Sequence, residues 1–276
     1  MQLVLGDRRY DVTTRCLVMG ILNRTPDSFY DQGRYWSFDE FLSTADRLVT
    51  EGADILDLGG VKAAPGETVT EQMELDRVIP AIEAARARFD VPLSVDTWRA
   101  RVAQDAYGAG AVIGNDISGF ADPDYLRVSA DAGATVVATH VRLGPRIPDP
   151  DPVYDDVVEA VNRFLADRAE RAQAHGIPRE RILLDAGLDL GKTPEQSLTL
   201  LRASDQLASL GYPTFLSASN KTFLGALLGR GIDDRRLATV AAHSLGVMLG
   251  CRVLRVHDVA GTRRAADTVS AMLEHR

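Results

Sequence analysis

Eight short apolar runs are spread along this chain, and each ends at or carries a polar residue. They are CLVMGILN, ending at Asn23; ADILDLGG, with Asp57; PLSVDT, with Asp96; and VIGNDIS, with Asn115 and Asp116. Then come ATVVATH, ending at His140; ILLDAG, with Asp185; PTFLSAS, ending at Ser219; and VLRVHDV, with Arg255 and His257. Near-continuous Val, Ile and Leu runs suit parallel strands buried on both faces. A polar residue closing every run is not something such a core requires.

Stretches of helical periodicity fill the gaps. FDEFLSTADRLVTEG sets Phe41, Leu42, Ala45, Leu48 and Val49 on one face and stops at Gly52, a C-cap. EQMELDRVIPAIEAARARF carries Pro80 inside the period, which predicts a kink. PEQSLTLLRAS begins at Pro194, suited to a first helical turn. Strand then helix, repeated eight times, predicts an α/β chain of parallel strands closing as a TIM (β/α)8 barrel. The alternative is an open doubly wound sheet. Its dinucleotide-binding form wants GxGxxG after the first strand, where this chain has Asn23-Arg24-Thr25-Pro26-Asp27. The opening segment MQLVLGDRRYDV predicts a short hairpin at the barrel floor, and the Pro- and Asp-rich stretch from Leu143 to Tyr154 predicts a surface loop.

The length of 276 residues matches one barrel domain over 1–276, with no linker between halves. With 39 acidic against 31 basic residues and no long basic run, nucleic acid and anionic membrane are poor partners. The start has no apolar signal core, and no run reaches the roughly 18 residues of a membrane span. The expectation is a cytoplasmic protein. Cys16 and Cys251 fall inside predicted strands without a CxxC context and read as reduced core residues.

In a barrel the C-terminal strand ends converge on one face, where active sites sit. Asp96, Asn115 and Asp185 would then meet in one pocket. Buried carboxylates need donors between them, and an amino-pyrimidinone edge, with ring N–H, exocyclic NH2 and a carbonyl, supplies them. The plainer alternative is that Asp96 and Asp185 are structural carboxylates that cap the following helix. Lys221, Arg255 and His257 bring positive charge to the same mouth, suited to a phosphate or pyrophosphate. Arg255 and His257 are two apart on one strand and share a face; a salt bridge to Asp258 is the alternative there. Asn23, ahead of the turn Thr25-Pro26-Asp27-Ser28, can offer an amide oxygen to Mg2+ beside a phosphorylated substrate, or simply form an Asx turn. Gly187-Leu188-Asp189-Leu190-Gly191-Lys192-Thr193 looks like a P-loop but spaces its glycines by three residues where four are required. His140, His175 and His243 lack metal-ligand spacing, and His175 suits a helix C-terminus.

The motifs MGILNRTPDSF, SVDT, NDISG, DAGLDLGKT, SASNKTF and RVHDV together resemble the successive signatures of the dihydropteroate synthase family, in order, from Met19 to Val259. The resemblance implies a pterin-binding barrel that joins a hydroxymethyl-dihydropterin diphosphate to p-aminobenzoate and releases pyrophosphate, as part of folate biosynthesis. It implies that Asp96, Asn115, Asp185 and Lys221 bind the pterin, and that Arg255 and His257 handle the pyrophosphate end, Arg255 also stacking on the pterin. It implies that Asn23 meets Mg2+, and that Thr222 presents its hydroxyl at a helix N-terminus to the carboxylate of the second substrate. Lys221, Arg255 and His257 are the implied catalytic set, with no Ser–His or Cys–His nucleophile pair needed. A homodimer through the late helices is implied as well.

Departures from the family pattern gather on the second-substrate side. Where the family reads GGESTRPG, this chain has Gly59-Gly60-Val61-Lys62-Ala63-Ala64-Pro65-Gly66. Leu190 stands where an aromatic wall is usual, and Asn220 where SRKS has Arg. Two functions are therefore expected in competition: an active synthase with a remodelled loop, or a paralogue that binds pterin diphosphate and has lost or changed arylamine coupling.

Overall fold

A computed structural model of the protein describes residues 1–23, 38–63, 66, 68–229, 231 and 234–275. Strands β1 (Gln2–Leu5) and β2 (Arg8–Asp11) pair antiparallel as the expected hairpin. The remaining strands are β3 (Leu17–Asn23), β4 (Ile55–Gly59), β5 (Leu93–Asp96), β6 (Ile113–Asp116), β7 (Thr135–Thr139), β8 (Ile182–Asp185), β9 (Thr214–Leu216) and β10 (Cys251–Val256). They close into a barrel in the order β10-β3-β4-β5-β6-β7-β8-β9, every neighbouring pair parallel. Helices follow the strands: α1 (Phe38–Thr50), α2 (Glu71–Arg88), α3 (Ala100–Ala109), α4 (Tyr125–Asp131), α5 (Val157–Ala174), α6 (Pro194–Arg202), α7 (Ser204–Ala208), α8 (Thr222–Leu228), α9 (Arg235–Met248) and α10 (Val259–Glu274).

Local chemistry explains several boundaries. Thr193 and Gln196 form a reciprocal capping box that starts α6 at Pro194, as the sequence predicts. Asp156 caps α5 through the amides of Val158 and Glu159. At the other end of α5, His175 brings Nδ1 to within 2.8 Å of the Arg171 carbonyl. Helix α2 continues through Pro80.

Side-chain alternation divides the strands into two faces. Outward residues such as Val18, Leu56, Val95, Val136, Leu184 and Leu254 pack on the helices in the larger core. Inward residues Leu17, Met19, Ile55, Ile113, Val137, Leu183, Phe215 and Val253 fill the barrel interior, with Leu3, Leu5 and Val12 closing it from below. Thr135 donates its hydroxyl to the Val4 carbonyl, and Arg181 Nη2 donates to that of Gly6 at 2.7 Å, tying the hairpin to the floor. Also at the floor, the Thr14 hydroxyl meets Glu274 Oε1 at 3.1 Å, bringing the two ends of the chain together. Cys16 and Cys251 are buried and free. Among the described residues no helix is long and apolar enough to cross a membrane.

Candidate functional site

Directly above the apolar interior, the inward positions become polar. The strand register sets Asn23 beside Gly59, Gly59 beside Asp96, Asp96 beside Asn115, and Thr139 beside Asp185. Of the three residues expected to meet in one pocket, Asp96 and Asn115 are register neighbours, and Asp185 closes β8, two strands beyond β6. Gly59 makes the closure possible: a Cβ there would stand 2.8 Å from Asn23 Oδ1 and 3.3 Å from Asp96 Cβ.

Arg255 holds the centre of this layer. Its Nε donates to Asp57 Oδ2 at 2.6 Å and its Nη2 to Asp96 Oδ2 at 2.7 Å. Asp57 is fully buried and also lies 3.3 Å from Asn115 Nδ2. Burial works against the Arg255 cation, yet Asp57 and Asp96 outweigh it and hold the guanidinium above its ordinary pKa. Burial pushes Asp96 up to about 7; Arg255 opposes the rise, and Asp57, Glu74 and Asp116 add to it. The alternative pairing of Arg255 with Asp258 does not occur: Asp258 pairs with Arg236 and accepts from the Gly261 amide. Nor does Asp96 cap the next helix, because the amide that opens α3, at Ala100, goes to Asp122.

Asp185 closes β8. One carboxylate oxygen accepts the Gly187 amide at 2.9 Å, within the loop and not at a helix start, since α6 is capped by Thr193. Burial raises its pKa, opposed first by Lys221. Lys221, in turn, donates Nζ to the Leu188 carbonyl at 2.5 Å, and burial lowers its pKa against the pull of Asp185. Asp116, by contrast, serves its own turn, accepting from the amides of Ser118 and Phe120.

At the mouth, His257 Nδ1 lies 2.9 Å from Ser219 Oγ, and the same hydroxyl accepts the His257 amide at 3.1 Å. A serine–histidine pair is therefore present where the sequence expectation had none. Held by both its backbone N–H and its ring nitrogen on one hydroxyl, the His257 imidazole has a fixed orientation. Crowding at the mouth, then the Arg255 cation, lowers the His257 pKa.

On the side expected to take the second substrate, the donors at Thr222 already have a partner within the chain. Thr222 stands at the start of α8, where its hydroxyl and amide both donate to Asp189 Oδ2, at 2.7 and 2.5 Å. The Phe223 amide donates to Asp189 Oδ1 at 3.2 Å. The cause is local. Asp189 sits in the left-handed region, φ 66°, where Asp is tolerated, and this turns its carboxylate onto the helix start. Lys192, from the P-loop-like segment, is buried with Nζ on the Gly187 and Leu190 carbonyls at 2.8 and 2.9 Å and 2.9 Å from His140 Nδ1. Burial pushes its pKa down to about 7. It rivets the loop after β8 to the end of β7.

Across the mouth, a Cβ at Gly66 would stand 3.4 Å from Arg146 Nη2. A guanidinium from the loop after β7 thus reaches the loop after β4, where the family motif's own arginine is replaced. Ala63 is exposed there, while Ala64 and the Thr25–Ser28 turn lie outside the described residues. Asn220 is left-handed, φ 56°, and its carbonyl takes Arg235 Nη1 at 3.0 Å. Among the described residues no group of three or more His, Cys, Asp or Glu is gathered to hold a metal.

Sequence reasoning left Asp57, Ser219 and Asp189 without roles. Asp57 was legible as a carboxylate two residues before the Gly-Gly strand end, on the inward face. Asp189 carried a weaker signal, a charged residue inside a glycine-rich loop.

Comparison with known proteins gives a consistent family. A family model described as pterin binding enzyme matches residues 19–257. A Mycobacterium leprae protein named inactive dihydropteroate synthase 2 is 43% identical over 94% of this chain and 91% of its own. The Bacillus subtilis dihydropteroate synthase is 39% identical, covering 94% and 89%. Among solved structures, Yersinia pestis dihydropteroate synthase in a sulfonamide drug complex aligns over all of both chains at 38% identity, TM-score 0.93. The Xanthomonas albilineans enzyme in complex with 7,8-dihydropteroate aligns over 99% of both at 39% identity, TM-score 0.88. With its motifs, its barrel and these relatives in agreement, the chain belongs to the pterin-binding enzyme family of the dihydropteroate synthases.

Proposed function

We propose that the protein binds 6-hydroxymethyl-7,8-dihydropterin diphosphate at the strand ends and is built for displacement of its diphosphate, with p-aminobenzoate coupling weak or lost. The observation that carries this reading is the cluster on Arg255: its guanidinium bonds Asp57 and Asp96, Asn115 lies on Asp57, and Asp185 lies within charge reach of Arg255 and Lys221. An amino-pyrimidinone edge brings the missing N–H donors. Lys221 lies beside Asp185 to meet the ring carbonyl, and Arg255 and His257 face the leaving diphosphate.

In the reaction, the carbon–oxygen bond to the diphosphate would break, and the acceptor nitrogen would then bond to the methylene carbon. Pyrophosphate leaves with the electron pair, and the amine proton passes to water. Departure of the diphosphate leaves a cationic methylene conjugated to the pterin, so stabilising the leaving charge matters more than a strong base. Asn23 Oδ1, kept clear by the missing Cβ of Gly59, can give Mg2+ one oxygen, the diphosphate and water supplying the rest. When bound, the ion neutralises charge on the diphosphate.

Two facts favour weakened coupling over an ordinary synthase. Asp189 already occupies the donors at Thr222 and Phe223, and mycobacterial relatives at 43% and 41% identity bear the name of an inactive synthase. The second reading, an active synthase, is supported by similarity to the Xanthomonas enzyme with 4-aminobenzoic acid, TM-score 0.91. Calorimetry with 6-hydroxymethylpterin diphosphate and Mg2+ tests the first part; absence of binding would overturn it. Pyrophosphate release on adding p-aminobenzoate separates the two readings, and turnover at the rate of an ordinary synthase would favour the second. Exposed Leu237, Leu245 and Met248 on α9 support a homodimer through the late helices, checked by sedimentation. Free, buried Cys16 and Cys251 support a reducing, cytoplasmic setting.

A further inference from the structure

We infer that Asp189 decides which second substrate this barrel admits: its carboxylate turns away an acceptor that carries a carboxylate of its own and leaves neutral amines favoured. This deepens the proposed pterin diphosphate reading and rests on it.

Three donors converge on Asp189: the Thr222 amide, the Thr222 hydroxyl and the Phe223 amide. An incoming carboxylate would need to displace Asp189 from them or find other partners beside a negative charge. Displacement is opposed by anchorage. The Asp189 amide donates to Ser197 Oγ at 3.1 Å, so the backbone that carries the carboxylate is fixed to α6. On one flank, the neighbouring Leu188 carbonyl holds Lys221 Nζ, which keeps that cation on the pterin side. On the other, Lys192 is buried, its ammonium directed to carbonyl oxygens and the His140 ring. Both lysines direct their hydrogen bonds elsewhere, and the positive charge they bring to this rim is already engaged by Asp189 and Asp185. Because Asp189 follows Asp185 by four residues in the same loop, its charge stands next to the pterin-binding strand end.

A neutral arylamine avoids the repulsion and still presents a nucleophilic nitrogen to the methylene carbon. The discriminating pair of probes is p-aminobenzoate and p-aminobenzamide, which match in shape and differ in charge. Full-length protein is loaded with 6-hydroxymethylpterin, pyrophosphate and Mg2+, and affinity for each probe is read by ligand-observed NMR. The expected result is tighter binding of the amide by about tenfold or more, a preference erased or reversed in Asp189→Gly. Asp189→Asn keeps the left-handed backbone accessible and removes only the charge, so it gives the same readout if the glycine variant folds poorly.

Equal affinity for the two probes in the unmodified protein, or a preference unchanged by both substitutions, overturns the assignment. Loading is verified beforehand by calorimetry. Failure to load would remove the pterin reading itself, and the inference with it; failure of discrimination in a loaded protein removes the Asp189 assignment alone.

Discussion

On the pterin side of the barrel mouth, two carboxylates, Asp57 and Asp96, share the single guanidinium of Arg255, with Asp185 nearby. A few residues beyond Asp185, in the loop after β8, one carboxylate, Asp189, takes up three neutral donors. The first arrangement is rich in acceptors and is completed by a ligand that brings N–H groups. The second is satisfied from within the chain. One part of the mouth is thus arranged for a guest, while the part beside it has its place taken by a side chain.

Four measurements can break or sharpen that contrast. The largest effect is expected from Arg255→Ala, which strands two carboxylates around a buried gap. Removing one partner of a buried ion pair costs roughly 3–5 kcal/mol, so urea unfolding should show a large loss of stability along with pterin binding. A loss under about 1 kcal/mol would mean that the carboxylates find other partners, against the general cost of unpaired buried charge.

Asp185→Asn should separate binding from folding. The amide oxygen can still accept from Gly187, so the barrel should remain folded. Loss of a charged acceptor for the pterin weakens affinity by about 1.5–3 kcal/mol, roughly one to two decades. Unchanged affinity by calorimetry would return Asp185 to a purely structural role.

The third measurement is the pH dependence of pterin affinity. Burial raises the Asp96 pKa to about 7, with Asp57, Glu74 and Asp116 reinforcing it and Arg255 opposing it. The ionised carboxylate accepts ligand N–H groups and the protonated one does so poorly, so affinity rises with pH through about 7. Binding to the ionised form lowers the pKa of Asp96 in the complex. Asp96→Asn should flatten the slope. A slope that survives in that variant would locate the titrating group elsewhere.

Ser219→Ala is expected to be the mildest. Loss of one hydrogen bond is worth about 1 kcal/mol, and freeing the His257 ring should alter the pH profile of pyrophosphate binding more than pterin affinity. An unaltered profile would show that the imidazole needs no orientation by Ser219.

The barrel was legible because hydrophobic periodicity repeats eight times and each strand announces its own end. Asp96, Asn115 and Asp185 were legible for the same reason: alternation along a strand fixes the face of a side chain before any tertiary detail is known. Asp57 should have been included on that ground, since it lies on the inward face two positions before Gly59. The Asp189 contact was not legible. It joins two loops 33 residues apart through a left-handed turn, and no periodicity reports on such a contact. Ser219 and His257 likewise meet only because β9 and β10 are neighbours in the closed barrel. Thr222 was placed correctly at a helix start, but what already sat on its donors depended on that distant turn.

The meeting of Thr14 with Glu274 at the barrel floor has a practical side. The N-terminal hairpin and the last turn of α10 lie on the face opposite the mouth. The protein can therefore be tethered to a bead or a sensor surface through either end, with its pterin pocket facing solution. The same proximity makes the pair a natural seam for a circular permutant, with new ends opened elsewhere on the surface.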